Sequence, residues 1–215
     1  KNKLKEITTV FPATTTAATT SIRTGLNPIE HGWLGWNMYI HTINKTITLF
    51  KNTIKETSQV SEEFLKEKHK LVNTTISNQI NEHEEYSALE LFPFGPNKYD
   101  NLDDMISIIK RECSKDGKKY IYAYDTEPDS TMHEYGPDSK EVINLIKERN
   151  EKVEKLCNEL EDTIIFIIAD HGHKLVEHIF LEDYPEIINM LERTTSLEQR
   201  AVSFKIKKDY KEEFY

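Results

Sequence analysis

The sequence has little of the residues that mark several protein classes. Two cysteines, Cys113 and Cys157, are too few for a disulfide framework. Glycine and proline number seven each, which excludes collagen-like and low-complexity chains. No run of about 18 apolar residues is present, so no segment is predicted to span a membrane. Basic residues are the minority, 28 Lys and Arg against 37 Asp and Glu, and the net charge of -9 argues against a nucleic-acid polymer as partner.

The acidic balance still allows a phosphate-containing substrate, because bound metal ions reverse the charge of a site locally. With 215 residues, 37% of them hydrophobic, the chain can bury one sizeable core, and its length favours one α/β unit. It begins at Lys1 and shows no signal-peptide pattern. The sequence itself therefore predicts a cytoplasmic location.

Apolar runs alternate with helical stripes along the chain. Residues 7–11, 120–124 and 163–169 predict buried strands, and the last run is the strongest because it is β-branched and aromatic without polar alternation. Apolar residues three and four apart predict helices over 102–114 and 138–160. This order is typical of an α/β fold with a mostly parallel sheet flanked by helices.

The middle of the chain has a different composition. Residues 40–98 are rich in Thr, Asn, Lys and Glu and end in a Pro/Gly turn, which predicts a mixed cap or insertion outside the sheet. The catalytic core is then expected in two parts, residues 1–39 and residues 99–215.

Hydroxyl groups crowd the segment Val10–Gly25, where the first predicted strand leads into a helix. A helix N-terminus offers free N–H groups and a positive dipole end, which suit a phosphoryl group. A threonine there is a nucleophile if a metal ion lowers its pKa. Taken alone, the segment fits a Thr-rich helix start with caps better than a catalytic site.

Carboxylates and imidazoles follow the other two predicted strands. Asp129 and His133 are four residues apart, so they meet on one side of a helical turn. Asp170 and His171 come directly after the third strand, and His173 is interpreted as a supporting or structural residue. Because such strand ends meet at one edge of an open α/β sheet, we expect the two pairs and the hydroxyl to converge there. That is the outline of a two-metal site for phosphoryl transfer.

The three motifs, in this order, resemble the alkaline phosphatase superfamily and, within it, the type I phosphodiesterase/nucleotide pyrophosphatase family. The resemblance runs from Val10 to Gly172. In that family the nucleophile is a threonine three residues after a proline, so Pro12 points to Thr15 rather than to its threonine neighbours.

The resemblance also implies the metal ligands. The Pro-Asp-x3-His motif implies that Asp129 and His133 bind one divalent ion, zinc in the family. The Asp-His-Gly motif implies that Asp170 and His171 bind the second ion together with Thr15.

The chain departs from the family pattern in two ways. Trp36 stands where the family often has an asparagine that holds a phosphate oxygen, which makes the adjacent Asn37 the candidate substrate-binding residue. One metal aspartate upstream of the nucleophile and one histidine far downstream have no counterpart. The chain is therefore expected to be a fragment of a larger catalytic domain that is inactive, binds zinc weakly and is open to self-association.

The resemblance implies a metal-dependent hydrolase of small phosphoric esters, with a nucleotide as one candidate substrate, that acts through a phosphothreonine. A phosphonate hydrolase or a phosphoryl transferase of the same superfamily is an alternative, although mutase-type relatives usually use serine. A non-catalytic binding module is the rival from another class. The retained Thr15 and the two carboxylate–imidazole pairs argue against it.

Overall fold

The computed structural model describes residues 5–68 and 74–215. The chain divides into two compact units: the first comprises Lys1–Asn73, Asp170–Gly172 and Val176–Tyr215, and the second comprises Thr74–Ala169 and His173–Leu175. Both units contain helices and strands, so the predicted α/β class is confirmed. The insertion predicted over 40–98 stays a prediction, since its residues are shared between the two units.

Seven strands and nine α-helices form within the described residues. The strands are β1 (Asn37–Ile40), β2 (Lys45–Thr48), β3 (Thr53–Ile54), β4 (Tyr86–Leu91), β5 (Lys118–Ala123), β6 (Ser196–Glu198) and β7 (Ala201–Ser203). The helices are α1 (Thr15–Thr24), α2 (Pro28–His31), α3 (Glu62–Glu67), α4 (Ile76–Asn81), α5 (Leu102–Cys113), α6 (Asp129–Tyr135), α7 (Lys140–Glu159), α8 (Pro185–Met190) and α9 (Lys211–Phe214). None of these helices is long and apolar enough to cross a membrane.

An antiparallel sheet organises the first unit. Its strands lie in the order β3-β2-β1-β6-β7, and β1 and β2 form a hairpin in which Asn37 is opposite Thr48. The hairpin brings apolar residues onto a small buried core: Ile40, Ile47, Leu49 and Phe64. This core holds the β1–β2 hairpin, which follows α1 and α2 along the chain.

The Thr-rich segment forms α1, although threonine is a weak helix former. Thr19, Thr20 and Thr24 each donate a hydrogen bond of 2.7 Å to the carbonyl oxygen four residues earlier. These bonds satisfy three of the hydroxyls in a helix of which seven of the ten residues are buried, whereas the buried Oγ1 of Thr16 has no hydrogen-bond partner among the described residues. The helix ends at Gly25, whose φ of 72° is in the left-handed region that favours glycine.

The second unit contains the parallel pair β4 and β5, with Leu91 opposite Ala123. Helices α5 and α7 pack beside this pair around one apolar core: Leu91, Tyr99, Leu102, Met105, Ile106 and Leu156. The hydroxyl of Ser139 accepts a hydrogen bond of 3.3 Å from the Val142 N–H and so caps α7. The strand predicted over 120–124 and the helices predicted over 102–114 and 138–160 are confirmed within two residues at most of their ends.

Two of the three predicted strands are wrong. Residues 7–11 and 163–169 form no strand, and Ile164 and Phe166 are 82% and 81% exposed. Apolar β-branched residues form a strand only where a neighbouring strand completes its hydrogen bonds and covers its side chains. No such neighbour pairs with either run in the part of the chain that the structure describes. The predicted mostly parallel sheet is therefore corrected to one antiparallel sheet and one parallel pair.

Candidate active site

Thr15 is the first residue of α1, at the end of the helix where backbone N–H groups have no partner within the helix. Its side chain is almost buried, at 8% exposure, and its Oγ1 lies 3.0 Å from Nε2 of His171. Thr14 precedes it in extended conformation and begins the helix without a side-chain cap. The helix end thus places a hydroxyl beside N–H groups and a dipole that favour a phosphoryl anion.

The loop Asp170–Gly172 presents His171 to this hydroxyl. Nδ1 of His171 lies 3.2 Å from the carbonyl oxygen of Gly172, which only accepts, so Nδ1 carries the proton in a neutral ring. The lone pair of Nε2 therefore faces Thr15. The backbone N–H of His171 donates to Oδ1 of Asp170 at 2.9 Å, and the Thr9 hydroxyl donates to the Asp170 carbonyl. These bonds fix the loop to the segment that leads into α1.

The second carboxylate oxygen of Asp170 has an unusual environment. Oδ2 is buried, lies 3.8 Å from Nε2 of His171, and accepts no hydrogen bond from any described residue. A buried carboxylate oxygen without a donor is costly, unless a cation neutralises it. Oδ2 and the Nε2 lone pair are donors of the kinds that zinc accepts, and the Thr15 oxygen becomes one when its hydroxyl loses the proton. Thr15, Asp170 and His171, called the α1 group below, therefore fit a divalent ion.

A second set of donors lies at the start of α6. Oδ1 of Asp129 is 3.6 Å from Nε2 of His133, one helical turn later, and 2.6 Å from Nε2 of His173. The rings of His133 and His173 meet edge to face, with centroids 4.8 Å apart. One donor atom from each of these residues lies within 4.8 Å of the others. This α6 triad of one carboxylate and two imidazoles is also a donor set that zinc accepts.

The turn between β5 and α6 holds Asp129 in place through charged side chains. Oδ2 of Asp125 accepts from Nε of Arg149 at 3.0 Å, and Oδ1 accepts from the Glu127 N–H at 3.1 Å. Glu127 in turn accepts from the N–H and the hydroxyl of Thr131 on α6, at 3.1 and 2.8 Å. The acidic side chains thus tie the strand end to the first turn of the helix that carries Asp129.

Tyr99 supports the same turn through a hydrogen bond. Its hydroxyl donates a hydrogen bond of 2.6 Å to the carbonyl oxygen of Tyr124, the residue after β5. Burial, with the nearby Asp125 carboxylate, raises the pKa of Tyr99 to about 12. The phenol therefore stays protonated and remains a donor across the physiological range.

His31 lies outside both groups and links α1 to α2. It is fully buried, its Nδ1 accepts from the Trp33 N–H at 3.0 Å, and its Nε2 is 3.0 Å from the Ser21 hydroxyl on α1. Because Nδ1 accepts, the ring is neutral with its proton on Nε2. Burial lowers the pKa of His31 below its ordinary value of 6.5, in keeping with this form.

Asn37, the predicted substrate-binding residue, begins β1. Its Oδ1 accepts a hydrogen bond of 2.8 Å from the Thr48 hydroxyl across the hairpin, and its backbone pairs with Leu197 of β6. The side chain therefore contributes to the sheet, and its role toward a substrate stays a prediction.

Oγ1 of Thr15 lies 3.0 Å from Nε2 of His171, and Oδ1 of Asp129 lies 3.6 Å from Nε2 of His133. The catalytic and metal-binding roles of these residues stay predictions. Convergence of the two sets on one sheet edge stays a prediction. The sequence analysis missed His173 as a partner of Asp129. The two residues are 44 positions apart, and no spacing pattern in the sequence relates them.

Comparison with known proteins gives the family. A model of the type I phosphodiesterase/nucleotide pyrophosphatase family matches residues 2–214, nearly the whole chain. The chain therefore belongs to that family. No curated protein matches the sequence.

Solved structures show the same fold. Murine ectonucleotide pyrophosphatase/phosphodiesterase 5 superposes with a TM-score of 0.54 at 20% identity, over 72% of this chain and 43% of the mouse chain. An inactive threonine-to-alanine variant of that mouse protein, in complex with AMP, gives the same values. The alkaline-phosphatase-like fold is thus confirmed. The chain spans less than half the length of these mouse structures.

Proposed function

We propose that this chain carries the nucleophile and metal ligands of a hydrolase of phosphoric esters, of the phosphodiesterase or nucleotide pyrophosphatase type. The observation that carries the proposal is the Thr15 hydroxyl, 3.0 Å from an imidazole nitrogen at the N-terminus of α1. Family membership supports the reaction class. The AMP complex of the inactive mouse variant supports a nucleotide as substrate and a threonine as nucleophile.

Two divalent ions, zinc by family resemblance, are part of the proposal. The α1 group would hold one, and Asp129 and His133 would hold the other. Bound there, such ions would lower the pKa of the nucleophilic hydroxyl and neutralise charge on phosphoryl oxygens. The buried Oδ2 of Asp170, which accepts no hydrogen bond from the described residues, supports this assignment.

The residues of the chain then divide the reaction into two displacements. Oγ1 of Thr15 attacks phosphorus in line, the bond from phosphorus to the leaving oxygen breaks, and the hydroxyl proton of Thr15 passes through solvent to that leaving oxygen. The N–H groups that begin α1 donate to the phosphoryl oxygens. Water then attacks the phosphoryl group on Thr15, which still carries the second ester of the substrate, the bond from phosphorus to Oγ1 breaks, and the Thr15 hydroxyl is restored with release of a phosphate monoester.

Substitution of Thr15 in the full-length protein tests the proposal. Thr15→Ala is expected to lower turnover of a chromogenic phosphodiester by about 10⁴-fold or more, because a methyl group cannot replace the nucleophile. Thr15→Ser keeps a hydroxyl and should retain part of the activity. Thr16→Ala is the matched control, because Thr16 is equally buried in α1 but is not in the α1 group. Full activity of Thr15→Ala would move the nucleophile to another threonine or to water.

A further inference from the structure

We propose that a cavity on the antiparallel sheet of the first unit, called the Arg193 cavity below, binds a small zwitterion of the α-amino acid class. Its volume is about 360 Å³, and its lining residues include Tyr39, Asn44, Thr46, Glu56, Glu192 and Arg193. Pockets for small molecules have volumes of about 300–1,000 Å³, so this cavity takes a ligand from the small end of that range. The proposal does not rest on the proposed function, because no residue of the α1 group or the α6 triad lines the cavity.

The cavity lies on the polar face of the β1–β2 hairpin. Successive side chains of a strand point to opposite faces, and Ile40 packs in the apolar core on one of them. Tyr39 therefore lies on the other face, directly opposite Thr46 of β2. Glu192 and Arg193, which follow α8, line the cavity together with this pair. The polar face of the hairpin thus meets a charged segment of the chain at this cavity.

The guanidinium of Arg193 is oriented, but its N–H groups have no partner among the described residues. Its Cζ lies 3.6 Å from the centroid of the Tyr39 ring, in a cation–π contact. No described residue accepts a hydrogen bond from it. A planar guanidinium that is fixed by stacking presents two parallel N–H donors to a carboxylate. Arg193 therefore forms the anion-binding part of the cavity.

Tyr39 gives Arg193 a fixed support. Its hydroxyl donates a hydrogen bond of 2.5 Å to Oδ1 of Asn44 in the hairpin turn, and its ring meets that of His41 edge to face, with centroids 4.7 Å apart. Asn44 has a φ of 51°, in the left-handed region that asparagine tolerates better than most residues. The stacking platform is therefore in place before a ligand binds, which lowers the entropic cost of binding.

Two carboxylates supply negative charge to the same cavity. Glu56 and Glu192 line it, and neither forms an ion pair with a described residue. The amine of Lys55, the neighbour of Glu56 in the chain, donates instead to the carbonyl and hydroxyl oxygens of Thr195, at 2.8 and 2.9 Å. Glu56 and Glu192 are therefore available to an ammonium group of a ligand.

The charges of the cavity define the class of ligand. Lys45, the other cation of the lining, is already paired with Glu63 at 2.5 Å, so Arg193 is the cation available to a ligand among the described lining residues. A simple anion would be repelled by the carboxylates, and a simple cation would be repelled by the guanidinium. A molecule that carries both a carboxylate and an ammonium group matches both signs of charge.

Thr46 indicates the side chain of the ligand. It is 2% exposed and lines the cavity, and its hydroxyl has no hydrogen-bond partner among the described residues. A buried hydroxyl without a partner is unfavourable, and a small polar group of the ligand would satisfy it. L-serine, which has the two charged groups and a hydroxyl, is therefore the probe of choice.

Calorimetric titration of the full-length protein with L-serine tests the proposal. We expect binding with a Kd of about 1 mM or lower. Ethanolamine lacks the carboxylate of serine, and L-lactate lacks its ammonium group, so each should bind at least about 10-fold more weakly. Because this comparison uses the unsubstituted protein, it does not depend on the folding of a variant.

Substitutions assign the binding to the Arg193 cavity. Arg193→Met removes the guanidinium but keeps a long side chain, and it should weaken serine binding by more than about 10-fold. Arg200→Met is the matched control, at an exposed arginine of the same unit that does not line the cavity. Glu192→Gln should weaken the binding of serine but not that of L-lactate, because L-lactate has no ammonium group.

Three results would overturn the proposal: no binding of serine, equal binding of serine and ethanolamine, or equal effects of Arg193→Met and Arg200→Met. Inorganic phosphate that binds more tightly than serine and is lost in Arg193→Met would also overturn it, because the cavity would then be an anion site. The outcome is separable from the proposed function, since Thr15→Ala should bind serine as the unsubstituted protein does whether or not it retains turnover.

Discussion

The α1 group and the α6 triad each present a carboxylate and an imidazole, but they differ in their third donor and are built in different ways. Thr15 begins a ten-residue helix in which three threonine hydroxyls bond to carbonyl oxygens of the same helix, and the side chains of Thr15 and His171 are nearly buried. The triad lies on a helix of seven residues, and His133 is 70% exposed. In the first group the backbone and burial set the geometry. In the second, ion pairs and hydrogen bonds around Asp125 and Glu127 set it.

The two groups also differ in how their aspartates interact before an ion binds. The α1 group holds a buried carboxylate oxygen that accepts no hydrogen bond from the described residues, so its cost is present before an ion binds. In the α6 triad, Oδ1 of Asp129 is already hydrogen-bonded to His173. An ion must therefore replace an existing interaction in the triad, whereas it relieves an unfavourable one in the α1 group. The two aspartates should respond oppositely to neutralisation.

The largest expected effect comes from replacing each aspartate by asparagine. Both Asp170→Asn and Asp129→Asn should lower turnover of the full-length protein by more than about 100-fold, since each loses a ligand. In the metal-free chain, Asp170→Asn should raise the free energy of unfolding by about 1 kcal/mol, because it removes the negative charge of a carboxylate whose buried Oδ2 accepts no hydrogen bond from the described residues. Asp129→Asn should lower it, because the charged acceptor for His173 is lost. Urea unfolding of both variants measures the contrast.

The expected contrast between the two aspartates would be contradicted if Asp170→Asn lowered the free energy of unfolding of the metal-free chain as much as Asp129→Asn does. The buried Oδ2 of Asp170 would then have a favourable role in the fold that does not involve a cation.

A second prediction concerns the support of the α6 triad. Arg149→Met should lower the free energy of unfolding by about 1–3 kcal/mol, because Asp125 is left half-buried without its guanidinium partner. It should also weaken zinc binding at the triad by about 10-fold or more. Lys152→Met, on the same helix, is the control: its ion pairs with Asp103 and Glu148 are exposed, so little change is expected.

Zinc titration in the Asp170→Asn background measures the effect of Arg149→Met on the triad. Unchanged zinc affinity, together with the loss of stability, would show that the Asp125–Arg149 pair stabilises the unit without positioning Asp129.

The smallest effect is a pH dependence from His31, which supports α1. Its pKa is lowered by burial in the folded chain, so the unfolded chain takes up a proton first as the pH falls below about 6.5. Its contribution to stability is therefore complete above that pH and decreases as the pH falls toward the folded-state pKa. The slope is at most about 1.4 kcal/mol per pH unit. His31→Gln should show a weaker loss of stability than the unsubstituted chain between pH 7.5 and 5.5, measured by urea unfolding. Equal losses in the two chains would contradict it.

The sequence predicted the parts of this molecule that depend on local pattern. The apolar stripe of α5 and the Ser139 cap of α7 are local signals, and both elements form as expected. The i, i+4 spacing of Asp129 and His133 likewise places them together on α6. Pro12 points to Thr15 only through the family resemblance, because the hydroxyl-rich segment alone does not single out one threonine.

What the sequence could not predict depends on partners distant along the chain. Residues 163–169 have every local property of a buried strand, but no described strand pairs with them. His173 contacts Asp129 from 44 positions away, and no periodicity relates the two. Pairing across the chain is decided by packing, which hydrophobic pattern and spacing do not encode.

Trapping the covalent intermediate tests the proposed mechanism most directly. The full-length protein is turned over with a nucleotide diester labelled at the scissile phosphate, quenched in acid, digested and mapped by mass spectrometry. We expect one nucleotidyl group, joined to Thr15 through the labelled phosphorus and absent from Thr15→Ala and from protein stripped of metal. Turnover without this group on Thr15, or with it on Thr14 or Thr16 instead, would contradict the mechanism.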